Sequence, residues 1–209
     1  FCQRWEYGRG PLVCGEGLKA DEERVLQMEK TPRFQMFSSE ETQDLKVIAK
    51  DGQMPVAQVT FKTAGNYLIA MERNWSAITL DAKKFTEYLR DEGLDSIVAQ
   101  RDQSGEANQE ERERYSRYLK SLVQAGSRQD ETYRREVGFT LEIIPQTNPY
   151  RLQAGDELKA KVLFEGKPLP NAKIFADNRE AGNTLGLRFD TLPAASCAFG
   201  FQARKRAGS

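Results

Sequence analysis

Histidine is absent from this chain of 209 residues. Its absence excludes Ser-His-Asp and Cys-His catalytic units, a histidine-ligated zinc site and a histidine pH switch. Cysteine is scarce as well, with three residues and no Cys-x-x-Cys spacing. The cysteines are isolated thiols, or they include a disulfide between Cys2 and Cys14, which would indicate an oxidising compartment.

Net charge and long apolar runs are also missing. The chain has 31 basic and 31 acidic residues and a formal net charge of +0. Nucleic-acid-binding domains are usually basic, because phosphate neutralisation supplies most of their affinity, so we expect no nucleic-acid partner. No run approaches the roughly 20 apolar residues that span a bilayer, and we expect no transmembrane segment. A start at Phe1 rather than Met fits a cleaved secretory signal peptide or a trimmed sequence.

The remaining composition is that of a globular protein, with 39% hydrophobic and 30% charged residues. A chain of this length forms one large or two small domains and buries roughly 70% of its unfolded surface, so it folds without a disulfide or metal. The glycine-rich residues 7–17 lack the Gly-Lys-Ser/Thr of a phosphate-binding loop. We interpret them as a loop between short strands in an irregular N-terminal segment of forty residues.

Residues 44–73 predict an antiparallel meander. Apolar and polar residues alternate in 44–50 and 55–63, and a third segment enters through Gly65 and alternates from Tyr67 to Met71. Such a sheet has one apolar face, so we expect a second sheet or a helix to cover it.

A helix is predicted over residues 82–92. Asp81 precedes it as an N-cap residue, and Gly93 follows it where a left-handed C-terminal cap is expected. Its apolar stripe consists of Phe85, Tyr88 and Leu89. Residues 94–101 are interpreted as a segment leading away from it, and residues 102–109 as a polar linker.

The stretch "ERERYSRYLKSL" at residues 111–122 predicts a second helix. Asn108 and Glu111 resemble a capped start, and Gly126 would end it. Burying one face outweighs the ion pairs on its surface, so we favour a packing role over partner binding or nucleic-acid contact. The apolar positions at spacings of three and four are Tyr115, Tyr118, Leu119, Leu122 and Val123.

Short alternating segments return at residues 138–146, 156–166 and 171–178, and their spacing is typical of an immunoglobulin-like β-sandwich. A domain boundary is predicted between Arg128 and Val137, giving an N-terminal domain of residues 1–130 and a C-terminal domain of residues 137–209. The fold class expected is mainly β: two immunoglobulin-like antiparallel sandwich parts with two intervening α-helices.

The linear order of these features resembles an uncharacterised bacterial extracytoplasmic family, labelled domain of unknown function number 4198. The similarity covers about residues 44–178. It consists of a glycine-tyrosine strand, an F-x-x-Y-L-x-x-E-G-L segment, an E-R-Y-S-R-Y-x-K segment, a P-x-x-N-P-Y segment and a G-K-P-L-x-x-A turn. The signature residues, to which we assign a structural role, are Tyr67, Phe85, Tyr88, Leu89, Gly93, Arg114, Tyr115, Tyr118, Pro149, Tyr150 and Gly166.

The resemblance implies a secreted or periplasmic protein in two β-rich parts. Some members of the family are labelled periplasmic components of cobalt or nickel uptake, which implies a metal-uptake membrane complex or another extracytoplasmic protein as partner. This chain departs from the family in lacking histidine, although nickel and cobalt sites favour imidazole ligands.

The C-terminal end departs as well. From Arg179 onward the sequence loses the Asp-Gly turn and the glycine-tryptophan pair of the family. We therefore expect a truncated or frameshifted end, which would leave a sheet edge open. Recovery of this tail by peptide mapping of the natural protein would contradict that expectation.

The sequence favours a non-enzymatic extracytoplasmic binding or accessory protein. The alternative is a structural or adhesive module that binds a protein or polysaccharide. Trp5, Trp75 and the tyrosines would then form a sugar platform, although core packing is the favoured use of each. A glycosidase-like pair of carboxylates has no motif to mark it. The carboxylates of residues 15–24 suit calcium or magnesium better than nickel and are typical of a solvated turn; they are Glu16, Asp21, Glu22 and Glu23.

Overall fold

The computed structural model describes residues 9–10, 12–14, 22–153, 155–176, 187–190 and 196–200. This part of the chain is mainly β, with two larger antiparallel sheets and two α-helices. The strands are β1 (Arg9–Gly10), β2 (Leu12–Cys14), β3 (Glu22–Arg24), β4 (Arg33–Phe37), β5 (Thr42–Asp44), β6 (Ala57–Gln58), β7 (Gly65–Leu80), β8 (Glu111–Ala125), β9 (Leu141–Pro145), β10 (Glu157–Phe164), β11 (Lys167–Pro168), β12 (Lys173–Ala176), β13 (Leu187–Asp190) and β14 (Ser196–Gly200). The helices are α1 (Ala82–Asp91) and α2 (Asp95–Ser104).

The first sheet has the strand order β5-β4-β7-β8. β4 pairs antiparallel with β7 in a register that sets Arg33 opposite Glu72 and Phe37 opposite Leu68. In the second sheet, the central strand β10 pairs antiparallel with β9, β11 and β14. Three short pairs complete the described strands: β1 with β6, β2 with β3 and β12 with β13.

The first half of β7 is buried on both faces. Its run "GNYLIAM" has no exposed residue, and alternate side chains enter two separate apolar clusters. Tyr67, Ile69 and Met71 join Phe34 of β4 in the larger cluster. On the opposite face, Leu68 and Ala70 pack with the side chains of Phe37 and Phe139. A strand that is covered on both faces has a continuous apolar run in its sequence, as the first half of β7 does.

The chain divides into two compact units by its internal contacts. Unit 1 comprises Phe1–Arg73 and Tyr118–Ser209, and unit 2 comprises Asn74–Arg117. Unit 2 therefore contains the end of β7, both helices and the beginning of β8. This division does not test the boundary expected between Arg128 and Val137, which stays a prediction.

Helix α1 confirms the sequence prediction in its caps. The Asp81 carboxylate accepts a hydrogen bond from the backbone N–H of Lys84 at 2.9 Å, which satisfies one of the free donors of the first turn. Gly93 follows the helix at a φ of 71°, a conformation that favours glycine. Within the stripe, Leu89 is buried, and Phe85 and Tyr88 are half-buried.

The helix predicted at residues 111–126 is wrong, because residues 111–125 form strand β8. The spacing of three and four arises from burial on both faces. Tyr118 and Leu122 pack against the cluster around Phe139, whereas Leu119 and Val123 pack against the other cluster. Adjacent apolar residues that enter opposite clusters imitate a helical period.

The second helix lies earlier in the chain, where a connecting segment and a polar linker were expected. It is α2, which ends at Gly105 in the left-handed conformation with a φ of 76°. Its pattern gave little signal because its apolar residues, Ile97 and Val98, form no stripe.

The meander expected in residues 44–73 is also wrong. Residues 45–47 form a 3-10 turn in which the Asp44 side chain accepts from the N–H of Lys46. Within residues 55–63, Ala57 and Gln58 form the short strand β6. The neighbours of β7 are β4 and β8, which come from distant parts of the chain. Strand β4 lies in the segment that was expected to be irregular.

The C-terminal strands are confirmed as β9, β10 and β12. The chain beyond Arg179 adds β13 and β14, and β14 pairs with β10 from Glu157 opposite Gly200 to Lys161 opposite Ser196. These two strands were not anticipated, and whether the tail is native stays a prediction. Among the described helices, none is long and apolar enough to cross a bilayer.

Candidate functional site: an exposed groove of arginine and tryptophan

An open groove of about 480 Å³ lies in unit 2. We call it the arginine–tryptophan groove; its lining is Trp75, Ser76, Ala77, Arg112 and Arg114. The indole of Trp75 is 53% exposed. The guanidinium carbon of Arg114 lies 4.9 Å from the centre of that ring, within the range of a cation–π contact. A large aromatic residue held at the surface beside two arginines distinguishes this place from the rest of unit 2.

Strand alternation supplies the two arginines. Glu111, Glu113 and Tyr115 are half-buried, whereas Arg112 and Arg114 are exposed. Side chains two residues apart share one face of a strand and lie about 6.8 Å apart along it. Arg112 and Arg114 therefore present two guanidinium groups from one face of β8.

The helices explain why the acidic residues of β8 are half-buried. Tyr88 of α1 donates a hydrogen bond from its hydroxyl to Glu113 at 3.1 Å. Burial, together with the charge of Glu113, raises the pKa of Tyr88 to about 12, so the phenol remains a donor at neutral pH. Helix α1 thus engages the carboxylate of Glu113.

Arg101 of α2 engages the other acid. Its guanidinium lies 2.7 Å from a carboxylate oxygen of Glu111, donates to the backbone oxygens of Glu106 and Gln109 and sits 4.8 Å from the ring centre of Phe85. The Arg101 side chain is 7% exposed and that of Glu111 is 31% exposed, so a buried guanidinium meets a half-buried carboxylate and two backbone oxygens. The resulting network fixes the two helices to the start of β8.

A second polar cluster in unit 1 joins two of the family motifs. Asn66 donates from its side chain to Gln124 at 2.6 Å and from its backbone to Asp130 at 3.0 Å, and its side-chain oxygen accepts from Asn148 at 3.3 Å. Asn66 is fully buried. A Cβ added to the neighbouring Gly65 would lie 2.5 Å from the Asp130 carboxylate. These contacts leave no room for a ligand, so we interpret the cluster as structural.

The 3-10 segment Pro149–Arg151, which follows Asn148, contacts strand β8. The Asn148 side chain accepts from the N–H of Tyr150 at 3.0 Å, and the Tyr150 hydroxyl donates to the backbone oxygen of Leu122 at 2.8 Å. Pro149 occupies the first turn of this 3-10 segment, where no N–H is needed. The segment therefore docks on strand β8 within unit 1.

Among the described residues of unit 1, the most deeply buried ion pair joins Lys120 of β8 to Glu142 of β9 at 2.8 Å. The Glu142 side chain is 2% exposed and also accepts from the backbone N–H groups of Val137, Gly138 and Phe139. Burial by itself raises the pKa of Glu142, but the bonds from Lys120 and the backbone outweigh it and hold that pKa below its usual value.

Lys120 has no spare donor for a substrate. It also donates to the backbone oxygens of Arg135 at 3.1 Å and Ile143 at 3.2 Å. Burial lowers the pKa of this ammonium against the opposing effect of Glu142. With every donor of the ammonium in use, we interpret the pair as a structural clamp.

The remaining signature residues take up packing and turn positions. Tyr67 is buried, and its hydroxyl donates to the backbone oxygen of Thr63. The ring of Tyr118 lies 5.4 Å from that of Phe139, and Tyr115 lies under the guanidinium of Arg117. Gly166 has a φ of 74° in the turn after β10. Their assigned structural role stays a prediction.

The implied metal lacks a ligand set in the part of the chain that the structure describes, since no three His, Cys, Asp or Glu side chains converge there. The carboxylates Glu16 and Asp21 lie outside the described residues, as does Cys2. The structure describes the backbone, but not the side chains, of Cys14, Glu22 and Glu23. The disulfide between Cys2 and Cys14 accordingly stays a prediction.

Sequence reasoning identified two of the five groove residues, in other roles, and missed Ser76, Ala77 and Arg112. Trp75 was considered as a sugar platform and Arg114 as a signature residue, whereas Arg112 received no role. The available signal was the alternation of glutamate and arginine in "ERER" at residues 111–114. Assigned as a strand, that order places both arginines on one face.

The fold and the groove define a mainly β protein of two antiparallel sheets that carries a small helical unit. The chain belongs to the family described as Domain of unknown function (DUF4198), which it matches over residues 12–195. No curated protein and no solved structure matches it.

Proposed function

We propose that this chain is a non-catalytic extracytoplasmic binding protein that holds an anionic ligand in the arginine–tryptophan groove. The observation that carries the proposal is the exposed contact of Arg114 with Trp75, with Arg112 on the same face of β8. Guanidinium groups bind carboxylates and phosphates through paired N–H donors. Stacking on an indole orients such a group and leaves its edge available.

The charges around the groove support an anionic rather than a cationic ligand. The acids nearest in sequence to the two arginines, Glu111 and Glu113, are engaged by Arg101 and Tyr88. The lining itself contributes two cations, a hydroxyl and an indole. These groups bind and orient a ligand, and none is a general acid or base near neutral pH, which supports a binding role rather than catalysis.

A tryptophan fluorescence titration tests this proposal. The chain has two tryptophans, so a Trp5→Phe variant leaves Trp75 as the single reporter. The probes are inorganic phosphate, poly-L-glutamate and polygalacturonate, with poly-L-lysine as the control of opposite charge. We expect saturable changes with at least one anionic probe, weakening as salt rises. If none of the anionic probes binds, the proposal is overturned.

A charge-matched pair of variants locates the binding. Arg112→Gln combined with Arg114→Gln removes two positive charges from the groove, and Lys83→Gln combined with Arg90→Gln removes two from exposed positions of α1. We expect the first pair to abolish binding and the second to retain it. Equal loss in both would contradict a specific site.

The link to cobalt or nickel uptake rests on the resemblance to family members with that label. A metal titration followed by native mass spectrometry, with and without reductant, tests it. Stoichiometric binding of cobalt or nickel would support a role in uptake, and its absence would leave the anionic ligand as the function. A mass change of two daltons on reduction would reveal a disulfide.

The extracytoplasmic location and the immunoglobulin-like arrangement belong to the same proposal. The location rests on the family resemblance, and fractionation of cells that express the tagged full-length gene tests it. The arrangement is supported by the antiparallel pairing in both larger sheets, and an experimental structure tests it.

A further inference from the structure

The position of β8, the strand that carries the two groove arginines, indicates the chemical class of the ligand. In the described part of the chain, β8 is the last strand of the first sheet, with β7 as its neighbour on one side. In unit 1, the Tyr150 hydroxyl occupies the backbone oxygen of Leu122, and Lys120 links the strand to β9. Among the described strands, none continues the sheet beyond Glu111–Tyr115 in unit 2.

We propose that the edge of β8 between Glu111 and Tyr115 accepts an extended acidic segment of a partner protein as an additional strand. The proposal rests on the proposed function and specifies its ligand as a protein segment. Extended peptides add to open sheet edges through backbone hydrogen bonds, and their alternate side chains supply specificity.

Charge and register together favour this occupant. Side chains on an added strand recur every two residues with the same rise as on β8, about 6.8 Å. Carboxylates at alternate positions of the segment therefore come beside Arg112 and Arg114 at once. Directly opposite side chains on paired strands have Cβ atoms about 5 Å apart, a distance at which opposite charges attract.

The opposite face sets a second requirement on the segment. Glu111 and Glu113 already have partners in Arg101 and Tyr88, so acidic side chains placed beside them would meet like charge without compensation. The segment that fits best thus carries acids at every second position and small neutral residues between them. A run of consecutive acids fits less well.

The neighbouring strand β7 is less suited than β8 to pair with an added strand. The backbone N–H of Trp75 already donates to its neighbour Asn74 at 2.8 Å, which engages one donor that an added strand would need. Trp75 instead contributes from the face of the sheet, where its contact with Arg114 reports on whatever binds that arginine.

Two peptides of equal composition test the register. One alternates as Glu-Thr-Glu-Thr-Glu-Thr-Glu, and the other is the block Glu-Glu-Glu-Glu-Thr-Thr-Thr; both are titrated into the full chain carrying Trp5→Phe. We expect the alternating peptide to bind about fivefold more tightly, the difference that one to two exposed ion pairs produce. Equal affinities would overturn the proposal.

Hydrogen exchange tests the strand addition itself. The alternating peptide should slow amide exchange in residues 111–115, because its backbone bonds to that edge. The Arg112→Gln and Arg114→Gln variant should lose this protection, and the Lys83→Gln and Arg90→Gln variant should keep it. Binding without protection of residues 111–115 would overturn the proposal.

The same titrations separate the two proposals. If polygalacturonate or phosphate binds and neither peptide does, the groove takes an acidic glycan or a small anion; the binding function then stands and the protein segment is wrong. If no anionic probe binds, both proposals fail.

Discussion

The two units of this chain use the same pair of strands under different physical conditions. In unit 1, β7 is buried on both faces from Gly65 to Met71, and apolar packing holds it. In unit 2, the end of β7 has no buried residue, and Leu89 is the one buried apolar side chain among the described residues of that unit. Ion pairs and arginine–aromatic contacts there take over what packing does in unit 1.

The two units also differ in whether their polar side chains are buried in hydrogen-bonded networks or exposed at the surface. Unit 1 buries its polar residues in closed networks, around Asn66 and Glu142, in which each strong donor meets an acceptor. Unit 2 closes such a network at Arg101 and leaves Arg112 and Arg114 exposed. Closed networks stabilise a fold, whereas exposed arginines stabilise little and can bind.

Removal of the Glu142 carboxylate should have the largest effect. Glu142→Ala leaves Lys120 as an unpaired buried charge, which costs about 3–5 kcal/mol in the free energy of unfolding. Urea denaturation followed by circular dichroism measures it. Lys120→Met combined with Glu142→Leu is the control, since replacing both members should recover most of the loss. A loss below 1 kcal/mol for the single change would show that unit 1 does not depend on its closed networks.

The pH dependence of unit 1 should follow from the same residue. Because the folded-state pKa of Glu142 is lowered, its contribution is fully present above the unfolded pKa of about 4.3 and is lost as pH falls through the folded value. Stability should therefore decrease below about pH 4 in the wild type and decrease less in Glu142→Gln. Parallel pH profiles for the two proteins would contradict this assignment.

Arg101 should be the corresponding residue of unit 2. Arg101→Ala removes its ion pair with Glu111, two bonds to backbone oxygens and the contact with Phe85, at a cost of about 2–3 kcal/mol. Amide exchange in α1 and α2 should accelerate, whereas exchange in β4 should change little. Arg90→Ala, an exposed arginine of the same unit, is the control. Equal acceleration in β4 would show that the two units do not open separately.

Gly65 tests the junction of the family motifs in unit 1. Its φ is +149°, and a Cβ would meet the Asp130 carboxylate at 2.5 Å, so Gly65→Ala should cost about 2 kcal/mol or more. Gly52 has a φ of +70° and open space around it, so Gly52→Ala should cost about 1 kcal/mol from backbone strain alone. Denaturation curves of the two variants give the contribution of the contact. Equal losses would indicate that Asp130 moves aside freely.

The fold was predictable where one physical rule applied at a time. The cap residues Asp81 and Gly93 located α1, and simple alternation located β9 and β10. The prediction for β8 was wrong because Tyr118 and Leu119 enter opposite clusters, a fact that depends on the rest of the fold. Helix α2 was missed because it lacks an apolar stripe.

Two residues of the groove were singled out in the sequence, but the groove itself was not predictable. Trp75 was considered as a sugar platform or a core residue and Arg114 as a family signature, and their contact depends on β7 and β8 being neighbours. That pairing joins residues about forty positions apart. A helical assignment of residues 111–122 separated the arginines and concealed it.

The smallest effect is expected at the groove, and it sharpens the comparison within unit 2. Arg101 and Arg114 lie at nearly the same distance from an aromatic ring, 4.8 Å and 4.9 Å, yet the first is buried and the second exposed. Arg114→Gln should therefore change the free energy of unfolding by about 0.5 kcal/mol, the value of an exposed cation–π contact. Denaturation of Arg114→Gln beside Arg101→Ala measures the contrast. Similar losses would mean that the groove arginine is part of the structure, and the loss of ligand binding in its variants would then no longer identify a binding residue.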